Sequence, residues 1–199
     1  MTGPGNRPPR RRGLRLLASS VLLAAGCTSG PVESPPEESD PVAGHTTVDD
    51  LCGVLDFADY EATVGVAPQI RDETTEDLGD RVRMYCWLGP SEDDGGPRDH
   101  GLDMRAQLYD DEATAETDYR DALGLTDVPL SDMTPVEGPW DEAATAYMAD
   151  LEQYLLIVRD GDLTIGVIQA VRPRDAIDAE AARDLMVSYA TQILAALRV

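Results

Sequence analysis

Between residues 47 and 199 the apolar positions follow two periods, one of two residues and one near 3.6, changing over at turn residues. Val48, Leu51, Cys52 and Leu55 stand at i, i+3, i+4 and i+7. That spacing predicts a first helix, capped by Thr47, with Asp49 and Asp50 where the helix dipole favours them. Asp56 then predicts the cap of a second, short helix with Phe57, Tyr60 and Val64 turned inward and Gly65 as its stop. Residues 71–80 (RDETTEDLGD) read as a charged loop. Arg81 to Leu88 is rich in β-formers, with Val82, Met84 and Cys86 on one face and Tyr85 and Trp87 on the other.

A loop of Pro, Gly, Ser and Asp covers residues 89–101, and Leu102, Met104, Ala106 and Leu108 then alternate with polar neighbours. Such alternation predicts a strand with one wet face. Asp111 to Leu123 predicts a helix burying Ala115, Tyr119, Ala122 and Leu123 and stopped by Gly124. Past a loop over 125–141, Ala143 to Met148 reads as a strand. Tyr154 to Arg159 and Leu163 to Val171 flank Asp160-Gly161-Asp162, a hairpin signal. A long helix is expected from Ala176 to Leu197, with Ile177, Leu185, Met186, Tyr189, Ile193 and Leu197 near one face. Strands followed by a helix, twice over, predict a single α+β domain at 47–199, an antiparallel sheet with helices packed on one side.

The N-terminal region has a different pattern. Five arginines up to Arg15 precede a short apolar run ending in Gly26-Cys27, the layout of an export signal over residues 1–26. The run is too short for a spanning helix, which needs roughly 20 residues. Leu23-Ala24-Ala25-Gly26-Cys27 resembles the lipobox of bacterial lipoproteins, which implies lipidation at Cys27 and a protein held at the outer face of the cell membrane. Residues 27–46, rich in Pro, Ser and Glu, hold too little apolar surface to fold and are expected to be a solvated tether.

Charge narrows the partners. All 38 acidic residues lie beyond residue 26, with 11 of the 16 basic ones, so the processed chain carries a formal −27. Every basic side chain other than the two histidines is Arg. Such a chain has no basic footprint for phosphate backbones, which excludes nucleic acid as a partner. An anionic lipid surface would repel it as well, leaving the covalent anchor to hold it at the membrane.

With Cys27 given to lipid, Cys52 and Cys86 remain as a pair in an exported chain and are expected to form a disulfide. A metal pair or redox site would want a C-x-x-C spacing or an adjacent histidine, and neither is present. The stretch DDLCGVLDFADYEATVG, followed by YCWLG, resembles the actinobacterial lipoprotein family known as domain of unknown function 3558. Asp50, Cys52, Leu55, Cys86 and Trp87 occupy that family's motif positions, and Trp140-Asp141-Glu142-Ala143 is similar to its Gly-Asp-Glu-Ala turn with the glycine displaced to Gly138. Neighbouring cysteine-stapled mycobacterial lipoprotein and sensor families share the layout. The resemblance implies an envelope location and carries no catalytic residue.

Chemistry is sparse. The only histidines are His45, in the expected tether, and His100, in a Gly/Asp loop, and no G-x-S-x-G surrounds any serine. Acidic clusters at Asp72-Glu73, Glu76-Asp77, Glu92-Asp93-Asp94 and Asp110-Asp111-Glu112 lack calcium-loop spacing and read as a solvated surface. No metal, cofactor or catalytic residue is expected, and the domain is read as non-enzymatic. Tyr85, Trp87, Tyr109 and Trp140 are the candidate binding face if no helix covers them; packing under Trp140 and the 125–141 loop is the alternative. An accessory domain for an envelope protein partner is the first expectation, and a carrier or sensor for a small apolar ligand held between sheet and helices the second.

Overall fold

A computed structural model describes residues 44–90, 101–124, 130–171 and 177–199. The expected signal, lipidated Cys27, most of the tether, His100 and the Glu92-Asp93-Asp94 cluster lie outside those residues. The folded unit is α+β. Seven strands, β1 (Pro68–Asp77), β2 (Arg81–Pro90), β3 (Leu102–Tyr109), β4 (Leu130–Pro135), β5 (Glu142–Met148), β6 (Gln153–Asp160) and β7 (Leu163–Ala170), form one antiparallel sheet in the order β1-β2-β3-β7-β6-β5-β4. Helices α1 (Ala58–Val64), α2 (Glu112–Gly124) and α3 (Ala179–Leu197) complete the described part. The β6–β7 hairpin turns where Asp-Gly-Asp predicts it, with Gly161 left-handed at φ +54°.

The main core lies under α3. Met84, Cys86, Met104, Leu156, Val158 and Ile165 meet α3 through Leu185, Met186, Tyr189 and Ile193. Fully burying a Leu, Ile or Met side chain is worth roughly 1.5–3 kcal/mol, and α3 buries Leu185, Met186, Ile193, Leu194 and Leu197, so this face contributes heavily to the fold's stability. Cys52 and Cys86 form a disulfide within it, fixing the segment before α1 to β2.

Several expectations change. Helices do not all pack on one side: α1 and α3 share a face, but α2 crosses the other, packing Tyr119 on Leu155 and Ile157. The reason is β6 itself, whose run Leu155-Leu156-Ile157-Val158 is buried on both faces. The first helix shrinks to a 3₁₀ turn, Cys52–Val54, because the Asp50 carboxylate takes the Gly53 N–H at 2.7 Å and Leu55 is already extended. Residues 71–77 are no loop but part of β1, a wet edge strand paired along β2. Part of the expected 125–141 loop is β4, the opposite edge. Helix α3 begins at Ala179, where Asp178 caps it by accepting the Glu180 N–H at 3.2 Å.

Residues 44–46 belong to the fold and not to a tether. The Thr46 N–H bonds to Leu197 O, the Val199 N–H bonds to Gly44 O, and His45 bridges to Arg198. Among the described residues no helix is long and apolar enough to cross a membrane.

Candidate functional site

Helix α2 starts firmly and ends loosely. Asp111 caps it, accepting the Thr114 N–H and hydroxyl at 2.9 Å each. The backbone bond from Thr114 comes first among the causes that hold the Asp111 carboxyl below its ordinary range. Arg159, on β6, reaches Glu112 at 3.2 Å, Asp141 at 3.4 Å and Glu142 at 3.2 Å, pinning the first turn to the sheet. Beyond that turn α2 buries only Ala115 and Tyr119. Ala122 and Leu123 in its later turns pack only partly on the sheet cluster, and beside them lies a groove of about 270 Å³.

The groove lies over Gly166, in the middle of β7. Arg105 on β3 and Ile157 on β6 are its register partners. Gly166 needs no left-handed backbone, and a Cβ built there meets nothing within 4 Å, so the missing side chain is what opens the floor. Leu155, Ile157, Ile168 and Met148 from the sheet and Ala122 from α2 make the apolar wall. Asp103, Arg105, Gln107 and Asp118 make the polar rim. Asp118, on α2, accepts from the Gln107 amide and the Thr164 hydroxyl, both at 3.3 Å and both on Oδ2. Burial, then the neighbouring Asp118 carboxylate, hold the Tyr109 phenol above its ordinary range.

Tyr85 and Trp87 continue the same side of the sheet past the groove, where no described helix covers β1 and β2. The Tyr85 hydroxyl donates to Asp103 at 2.8 Å, and the Arg105 guanidinium lies 5.8 Å from the Tyr85 ring centre. Trp87 is 42% exposed. The four expected aromatics therefore do not form one face. Tyr109 shares the side of Tyr85 and Trp87 but is buried. Trp140 packs against the α3-side core, its indole N–H donating to Val136 O at 3.0 Å. Two other hollows, of 370 Å³ beside the start of α3 and 500 Å³ beside Trp140, are larger but more open.

Sequence reasoning missed two features. The first is Gly166, although a glycine interrupting Leu163-Thr-Ile-Gly-Val-Ile is a legible sign of a hollow or a close approach. The second is His45, whose side chain is 1% exposed. Its Nδ1 lies 2.6 Å from Asp162, its Nε2 lies 2.9 Å from Asp160, and Arg198 pairs with the same Asp160 at 2.9 Å. Asp50 and Glu73 meet at the surface next to Cys52, but the sulfur is spent in the disulfide. The Asp50 charge is the main reason the Glu73 carboxyl lies above its ordinary range. Comparison of the chain with protein-family models, curated proteins and solved structures gave no match.

Proposed function

We propose that this chain is a lipid-anchored protein of the bacterial cell envelope whose folded domain binds a small, largely apolar ligand without transforming it. The observation that carries the reading is the groove over Gly166, an apolar floor with a few polar groups at its rim, the usual composition of a ligand site. Its location rests on the lipobox-like Leu23 to Cys27, supported by a buried disulfide of the kind oxidising compartments favour. Membership of the domain of unknown function 3558 family, or of a neighbouring cysteine-stapled lipoprotein family, is part of the same proposal. A non-enzymatic role is part of the same proposal.

The test is native mass spectrometry of the intact protein drawn from its host's membranes. A co-purifying mass is expected on the natural chain and absent from Gly166→Leu, whose new side chain occupies the floor. No such mass on the natural chain, with the same result for the variant, refutes the reading.

A second reading keeps the envelope location but gives the domain a protein partner. Trp87 favours it, exposed on the uncovered half of the sheet beside Tyr85. A photo-reactive residue at position 87 would then form one discrete adduct in cells, and none if the groove alone is functional.

A further inference from the structure

The charges around the groove select among ligands. At the rim, Asp103 and Arg105 lie 3.9 Å apart and offset one another, and Asp103 also receives the Tyr85 hydroxyl. Asp118 is different. Its neighbours are neutral: the Gln107 amide and the Thr164 hydroxyl both donate to one oxygen, and the Tyr109 phenol lies beside the carboxylate. They orient the carboxylate without cancelling its charge. Among the described residues no cation pairs with Asp118, so the rim carries its negative charge above an apolar floor.

The rest of the molecule adds to this field. The whole chain carries a formal −22, and a strongly negative surface concentrates cations in its clefts. An anionic ligand would have to draw Arg105 from Asp103 and sit beside Asp118, against both local and global charge. Resting on the ligand-binding reading above, we propose that the groove takes a small organic cation. Its compact apolar body lies over Gly166 between Ile157 and Ile168, and its protonated amine is held on Asp118.

Three probes of one shape separate the charge from the hollow: 3-methylbutylamine, 3-methylbutan-1-ol and 3-methylbutanoate, each titrated calorimetrically into the intact protein. The amine is expected to bind at least tenfold more tightly than the alcohol, and the acid most weakly. Asp118→Asn retains an oxygen for Gln107 and Thr164, and is expected to erase the amine's advantage while leaving the alcohol unchanged. Gly166→Leu is expected to abolish binding of all three with circular dichroism unaltered, and Gly166→Ala to weaken it if the larger side chain prevents folding. Tightest binding by the acid, equal binding of amine and alcohol, or an unaffected amine in Asp118→Asn each overturn the cation assignment. So does binding of none of the three. The groove reading is judged separately, by the co-purifying mass and its loss in Gly166→Leu.

Discussion

The His45 side chain is almost fully buried and lies between two carboxylates, Asp160 and Asp162, that flank the β6–β7 turn. Its neighbours Gly44 and Thr46 bond to the last residues of the chain, so one side chain ties the first described strand of backbone to a hairpin and to the end of α3. His45→Ala removes both imidazole contacts and leaves the partly buried Asp162 without its 2.6 Å partner. Stranding a partly buried polar group costs about 1–3 kcal/mol. Urea unfolding should therefore show a loss of about 2 kcal/mol with the m-value unchanged; a loss below about 0.5 kcal/mol would mean that Arg198 alone holds Asp160 and the turn. Nothing local to His45 announced this role. It sits among Pro, Ala, Gly and Thr, and its partners lie 115 and 117 residues away, a distance at which composition carries no information. Cys52 and Cys86 were legible for the opposite reason: once the N-terminal pattern is read as an export signal, two remaining thiols have few other expected fates, whatever their separation.

The helices show how packing sets the stability of an element and, through it, the element's use. Helix α3 is held by eight buried side chains, whereas α2 is held by two, by the Arg159 contacts at its first turn and by the Asp118 bonds to Gln107 and Thr164, with Ala122 and Leu123 only partly buried. Local opening follows the apolar contacts that must be broken. Amide hydrogen exchange should then find the second half of α2, Tyr119 to Leu123, at least about tenfold less protected than the centre of α3. Equal protection would make α2 a rigid wall and leave the groove fixed in size. The strands divide by the same physics. Strands β3, β5, β6 and β7 were readable because their side chains meet a core. Edge strands β1 and β4 were not, since backbone pairing makes them strands while exposed Asp, Glu, Thr and Ser give them the composition of loops. The opposite placement of α2 was written in the unbroken Leu155 to Val158 run, a pattern of strands covered on both faces.

At the scale of the whole molecule, charge and covalent closure oppose one another. The disulfide closes 34 residues of chain, a constraint worth about 4 kcal/mol in the chain-entropy model. Against it stands the repulsion among 38 acidic residues with only 16 basic ones to offset them. Salt bridges compensate weakly. Arg83–Glu76 and Arg120–Glu116 are exposed pairs, each worth about 0.2–1 kcal/mol and themselves weakened by salt. Repulsion acts over many pairs and longer distances, so screening should relieve it more than it costs the pairs. Raising NaCl from about 20 to about 500 mM shortens the Debye length from roughly 20 to roughly 4 Å. The thermal midpoint at pH 7 should therefore rise, and rise further after reduction of Cys52–Cys86, when less else opposes expansion. A midpoint that falls with salt would show that specific ion pairs, the Arg159 and Asp160 clusters foremost, outweigh the net field.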